Sequence, residues 1–197
     1  MVSPASIPPC DSSLTLLSLP IMMTSIMEKP TLTTLDSEQL RNAMRGWSVG
    51  VTIVTAVQAG ERHGMTVNSF TSISLDPALI TISLQSSTRT HGFVSGAKAF
   101  GLTILSTEQA HLSHRFAGRS PEVQDRFAGL QLETLVTGSP LIVGGLAWLD
   151  CRVVQTIEAG ANTLFIAEVV AARATGEGRP LIYHNRRYWE ISPLEQD

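Results

Sequence analysis

The chain has 197 residues, 43% of them hydrophobic and 16% charged, with 14 Lys and Arg against 17 Asp and Glu for a net charge of −3. That composition supports one folded core and excludes a wholly disordered chain. It also lacks the strong positive field that binding nucleic acid as a main function requires. Cys10 and Cys151 are too few for a disulfide framework and point to a reducing, cytoplasmic setting.

Residues 1–30 read as a disordered leader ahead of a folded domain over 31–197. Up to Met27 the leader holds one charged side chain, Asp11, with four of the six methionines and Pro4, Pro8, Pro9 and Pro20. Its apolar patch, Leu14 to Met23, is broken by Ser18 and Pro20 and falls short of the ~20 residues a membrane span needs. The first basic residue, Lys29, follows that patch rather than preceding it, the reverse of a secretory signal, so no membrane partner is expected.

Asp36 followed by Gln39 is a capping-box pattern, and Leu40, Met44 and Trp47 continue it at helical spacing, which predicts a helix over 37–46. Val49 to Val57, Met65 to Leu75 and Leu79 to Leu84 read as three strands, the middle one rich in Ser and Thr. A short helix is expected over Thr88 to Lys98, a strand over Phe100 to Leu105, and two helices over Glu108 to Phe116 and Pro121 to Phe127. Those two helices place Phe116 and Phe127 in an echoed Arg-Phe-Ala-Gly, eleven residues apart, so that both rings face one way. Leu146 to Ile157 and Thr163 to Ala172 are long β-rich runs joined by a hairpin at Glu158 to Asn162, and Pro180 to Tyr183 and Tyr188 to Ile191 close the chain. About seven strands, with helices too few and short for βαβ crossovers, predict a mainly antiparallel β-barrel with peripheral short helices.

The signatures of Walker ATPases, α/β-hydrolases and dithiol redox proteins are absent from the sequence. His111 and His114 lie one helical turn apart without a third ligand at a persuasive spacing, so no metal site is expected. Trp47, Trp148 and Trp189 read as core or subunit-interface residues.

The informative stretch is Gly64-Met65-Thr66-Val67-Asn68-Ser69-Phe70-Thr71-Ser72-Ile73-Ser74-Leu75-Asp76-Pro77. One face alternates apolar, and the other carries hydroxyls and an amide that a buried strand tolerates only with partners. Gly64 permits close backbone approach, and Thr66, Asn68 and Ser69 offer donors and acceptors to a planar heterocycle with a carbonyl and imide edge. Downstream, Ser83-Leu84-Gln85-Ser86-Ser87-Thr88-Arg89-Thr90 leaves a strand and enters a helix, a pattern that suits either a phosphate or an ordinary Ser/Thr cap beside a surface arginine.

These stretches stand in series with Arg115-Phe116-Ala117-Gly118, Asp125-Arg126-Phe127-Ala128-Gly129, Gly138-Ser139-Pro140, Trp148-Leu149-Asp150-Cys151-Arg152-Val153 and Pro180-Leu181-Ile182-Tyr183-His184. From about Leu40 to Ile191 the ordered series resembles the flavin reductase family, the small components of two-component flavin monooxygenases. The resemblance implies an FMN-binding split β-barrel, antiparallel and Greek-key-like, assembled as a homodimer. It implies binding of FMN or FAD, reduction by NADH or NADPH, and release of reduced flavin to a separate flavin-dependent monooxygenase.

Carried over by position, Gly64, Met65, Thr66, Val67, Asn68 and Ser69 lie against the isoalloxazine. Ser83, Leu84, Gln85, Arg89 and Thr90 hold the ribityl chain and phosphate, with Arg115 and Phe116 closing over that end. Tyr183, His184 and Tyr188 line the nicotinamide side, His184 having a surface role at a strand end as its alternative. One departure stands out: the family's Gly-Asp-His hairpin, whose histidine is associated with the pyridine nucleotide, reads Gly160-Ala161-Asn162 here. Asn162 keeps an amide that suits a carboxamide or phosphate. That departure favours a competing reading, a flavin carrier or auxiliary protein without NAD(P)H turnover, and a ligand-free interaction module is the third. No side-chain acid or base is expected to be catalytic, because hydride transfer is cofactor chemistry.

Overall fold

The computed structural model describes residues 35–119 and 125–194. The expected leader at 1–30 lies outside the described residues. Helix α1 (Ser37–Met44) begins as the spacing predicts: the Asp36 carboxylate accepts from Glu38 N at 3.2 Å, and Asp36 N donates to Gln39 Oε1 at 3.3 Å. None of its residues is buried. There follow β1 (Val49–Gly50), β2 (Thr52–Gln58), β3 (Glu61–Val67), β4 (Thr71–Leu75), β5 (Ala78–Gln85), α2 (Arg89–Ala97) and β6 (Ala99–Ile104). A 3-10 turn at Thr107–Gln109 leads into α3 (Ala110–Phe116). The chain then forms β7 (Leu132–Glu133), β8 (Leu141–Ile142), β9 (Ala147–Ala159), β10 (Asn162–Ala174), β11 (Ile182–His184) and β12 (Arg187–Trp189).

The principal sheet is antiparallel with order β3-β2-β6-β9-β10-β5-β4. Its edge strands β3 and β4 are consecutive in the chain, and side chains from both halves of the sheet fill one core. Val54 and Ala56 of β2 and Val67 of β3 belong to the same cluster as Ile80, Ile82 and Leu84 of β5 and Phe165 of β10. A sheet whose opposite ends share a core has rolled into a barrel. The fold class is therefore the mainly β, antiparallel barrel expected. A second cluster lies on the other face of β2, where Val51 and Ile53 meet Leu112 and Phe116 of α3, Phe127 and Leu181. Among the described residues no helix is long and apolar enough to cross a membrane.

Three sequence expectations change. The single run Met65 to Leu75 breaks at 68–70, because Ser69 Oγ donates to Ser83 O at 2.8 Å and accepts from Ser83 N at 3.0 Å. A side chain thus replaces the ladder bonds of the backbone at the barrel corner. The helix expected over Pro121 to Phe127 is not formed where the structure describes it: 125–129 is a turn, and 121–124 lie outside the described residues. Asp125 Oδ1 captures the backbone N–H of Phe127 at 2.9 Å, an Asx-turn that competes with helix. Phe116 and Phe127 still meet, with ring centroids 5.1 Å apart at 84°, but one comes from a helix and the other from this turn. Finally, Val49 to Val57 divides at Val51, since β1 pairs with β11 while β2 pairs with β3 and β6.

Two of the ordered motifs meet in the core. Asp150, fully buried, accepts from Val136 N at 2.6 Å and Thr137 N at 2.7 Å, and also from Thr137 Oγ1, fixing the loop that carries Gly138-Ser139-Pro140. Trp148 is buried, as expected, with Nε1 donating to Ile142 O at 2.7 Å, whereas Trp47 and Trp189 are 65% and 49% exposed.

Candidate functional site

The corner at 68–70 opens onto a cleft of about 800 Å³. Asn68, Ser69, Phe70 and Thr71 line it, together with Val49 and Tyr183. Met44 and Trp47, at and just beyond the end of α1, also line it. Aromatic faces and an exposed amide around one opening suit a planar heterocycle. The β11–β12 turn completes the mouth: Asn185 N donates to Arg45 O at 3.2 Å, tying that hairpin to the C-terminal end of α1.

The site residues read from the sequence separate into those that face this opening and those that hold its walls from behind. Asn68 and Ser69 face it directly. Thr66 does not offer its hydroxyl, because Oγ1 donates to Ser113 O at 2.7 Å and fastens β3 to α3. Gly64 is buried, and a Cβ there would meet Val54 O at 3.0 Å and Phe116 Cε1 at 3.1 Å. The close approach it permits is thus to the protein's own core. Val67, Leu84 and Phe116 are 5%, 1% and 1% exposed and belong to the two core clusters, with Met65 packed beside the first. Ser83 is held by Ser69, and Gln85 is exposed.

The nicotinamide candidates also divide. Tyr183 lines the cleft. His184 Nδ1 and Ser48 Oγ share a hydrogen bond of 2.9 Å beside it. Tyr188 packs on Tyr183 with centroids 5.7 Å apart, while its hydroxyl shares a 2.7 Å bond with Ser113 Oγ, so it supports the lining residue. Asn162 is exposed and does not line the cleft; it stands opposite Gln85 in the β5–β10 register, and Ser86 N donates to Ala161 O at 2.9 Å. The altered hairpin therefore stands beside the turn that precedes α2.

Of the phosphate-end residues, Arg89 lines a second, smaller cleft of about 370 Å³ between β3, the start of α2 and the turn at 125–127. Arg89 donates to Glu61 at 2.9 Å and Arg62 to Asp125 at 3.4 Å, both exposed pairs. Arg126 Nη1 donates to Gly64 O at 2.9 Å and Phe116 O at 3.2 Å, and Arg115 Nη2 to Ala128 O at 2.7 Å and Asp125 O at 3.0 Å. Thr90 is buried with Oγ1 2.8 Å from His63 Nδ1. Burial, reinforced by the charges of Arg126 and Arg89, lowers the pKa of His63 to about 4. Burial also pushes the Cys151 thiol up, with Asp150 adding to the shift, which disfavours the thiolate.

Sequence reasoning missed Trp47, Phe70, Asn185 and three arginines, Arg41, Arg45 and Arg186, as cleft residues. Only the Asn at 185, a favoured hairpin residue between two β runs, carried a local signal.

The flavin reductase like domain model matches residues 44–192. The chain is 36% identical over 172 residues to the reductase component of a 4-nitrophenol 4-monooxygenase/4-nitrocatechol 2-monooxygenase of Rhodococcus opacus, covering 87% of this chain and 90% of that one. It is 34% identical over 158 residues to an FMN reductase (NADH) of Ancylobacter novellus, covering 80% and 87%. An NADH:FAD oxidoreductase of Streptomyces globisporus C-1027, solved in complex with NAD and FAD fragments, superposes with a TM-score of 0.74 at 30% identity, over 80% of this chain and 94% of that one.

Proposed function

The chain belongs to the flavin reductase family, and from that premise we propose that it binds FMN or FAD, reduces it with NADH or NADPH, and passes the reduced flavin to a separate monooxygenase. The observation that carries this reading is the 800 Å³ cleft, where Trp47, Phe70 and Tyr183 supply aromatic surface and Asn68 supplies an amide at the barrel corner. That donor set fits an isoalloxazine: a broad apolar face with hydrogen-bonding groups along one edge. When bound, the flavin supplies the acceptor for hydride from the reduced nicotinamide.

The chain's own residues position and shield. Asn68 and the backbone around Ser69 present polar groups to the ring edge, and the Ser69–Ser83 bonds keep that wall rigid. Tyr188, clamped by Ser113, fixes the face of Tyr183. Gln85, the turn ahead of α2 and Arg89 take the ribityl chain and phosphate. The exposed Arg89–Glu61 pair, of a kind worth about 0–1 kcal/mol, yields readily to a dianionic ligand. Asn162, beside Gln85, reaches the same end.

A homodimer completes the picture. The edge strand β4 leaves Leu75 90% and Ile73 49% exposed, an apolar surface that a second copy covers. A cytoplasmic setting fits the reduced nucleotides it consumes.

The test uses one purified preparation. Its mass in solution is measured, flavin binding is followed by fluorescence quenching, and NADH or NADPH oxidation is followed with FMN and with FAD. A dimer that oxidises nicotinamide only when flavin is present is expected. Flavin binding without oxidation overturns the reductase in favour of a carrier, absence of flavin binding overturns both, and a single-chain mass overturns the dimer.

A further inference from the structure

The mouth of the large cleft carries three guanidinium groups, Arg41 and Arg45 from α1 and its end and Arg186 from the β11–β12 turn, against one carboxylate, Glu38. Glu38 is shared between Arg41 at 3.4 Å and Arg45 at 3.5 Å, in exposed pairs. Arg186 is exposed and has no ion pair among the described residues. Three cations against one carboxylate leave the rim positive, and Trp47, Phe70 and Tyr183 give the cleft an aromatic lining.

Arg186 also stands where the backbone disfavours it. The turn is a two-residue hairpin, with His184 paired to Arg187, and both central residues have positive φ, 45° at Asn185 and 63° at Arg186. Such a turn favours Asn at the first position and Gly at the second. A long side chain in the left-handed region costs about 1 kcal/mol relative to glycine and points to a use for the guanidinium. The bond from Asn185 N to Arg45 O holds this hairpin against the end of α1, so the arginines share one rim.

We infer that Arg41, Arg45 and Arg186 form a phosphate-recognition rim for the nucleotide whose ring enters the cleft, with the pyridine nucleotide as its source. The inference rests on the flavin reductase reading above and adds what holds the second substrate. A dinucleotide that presents its nicotinamide to a flavin in this cleft carries its phosphates outward, and guanidinium forks match phosphate oxygens. NADPH, with one more phosphate than NADH, gains most.

The test compares the full-length protein with R186G, R186K and R41Q/R45Q. Glycine suits the positive φ at 186, so R186G retains the fold. Direct NADH and NADPH binding is read by nucleotide fluorescence, FMN and riboflavin binding by flavin quenching, and KM and kcat by turnover. R186G is expected to weaken NADH binding roughly three- to tenfold and NADPH binding more, raising KM more than it lowers kcat, with R186K retaining most of the affinity. R41Q/R45Q moves the same quantities in the same direction. If R186G instead weakens FMN but not riboflavin, the rim still recognises a nucleotide phosphate and its source is the flavin. If neither R186G nor R41Q/R45Q changes any of these affinities while the wild type turns over normally, the rim is overturned and the reductase reading stands. A wild type that binds neither flavin nor nicotinamide overturns the reading itself.

Discussion

The cleft between α1 and the β11–β12 hairpin and the smaller cleft between β3 and α2 each present three guanidinium groups, yet they use them differently. In the smaller cleft Arg126 is spent on two carbonyls, and Arg62 and Arg89 each face a carboxylate. In the larger one Arg41 and Arg45 share Glu38, and Arg186, in a strained turn position, has no ion pair among the described residues. Counting charges makes the two clefts alike, whereas counting partners makes Arg126 of the smaller cleft a wall-builder beside two paired arginines and the larger cleft a ligand mouth. The same contrast holds for their aromatics: Phe116 is 1% exposed beneath the small cleft, and Trp47 is 65% exposed beside the large one.

The sharpest way to break this comparison is to truncate one aromatic from each side. Phe116→Ala empties a packed core site beneath Gly64 and is expected to cost about 3–5 kcal/mol in denaturant unfolding. A loss of flavin affinity at unchanged stability would make Phe116 a ligand residue and erase the contrast. Trp47→Ala should do the opposite, weakening flavin binding roughly three- to tenfold while leaving unfolding within about 0.5 kcal/mol of the wild type. A strongly destabilised W47A whose flavin affinity is normal would move Trp47 into the core.

The smallest effect is a pH dependence confined to the small cleft. His63 takes up a proton near pH 6.5 when unfolded but only at about pH 4 when folded, so its contribution to stability is complete above pH 6.5 and falls as pH drops towards 4. The stability difference between wild type and His63→Asn, measured by denaturation at several pH values, is expected to shift against the wild type across that window. A difference independent of pH would mean that His63 is not sheltered. Saturating FMN refines the comparison: a flavin phosphate on Arg89 raises the folded-state pKa of His63 and flattens the slope, and an unchanged slope places the phosphate elsewhere.

Much of the fold is legible in the order of residues alone. The capping box at Asp36, the alternation of β5 and the long β9–β10 hairpin are local patterns, encoded in neighbouring residues, and each forms where expected. The family and its flavin chemistry follow from the order of short motifs along the chain. The turn at 125–129 is not legible in this way, because the helix-starting Pro121 and the Asx-turn of Asp125 compete over the same few residues, and only the backbone geometry decides between them.

The site is legible in outline but not in its division of labour. That the 64–75 stretch is rich in hydroxyls is a fact of sequence; that Thr66 and Ser69 give those hydroxyls to Ser113 and Ser83 is a fact of packing. Hydrogen-bond partners 14 and 47 residues away leave no periodicity to read. For the same reason Arg41, Arg45 and Arg186 look like three unrelated surface charges until the hairpin is bonded to the end of α1. Sequence by itself determined the strand content, the antiparallel barrel and the kind of chemistry, because these depend on local pattern and ordered motifs. Only the tertiary structure decided which polar groups remain available to a ligand, because availability is what is left after long-range partners have taken their share.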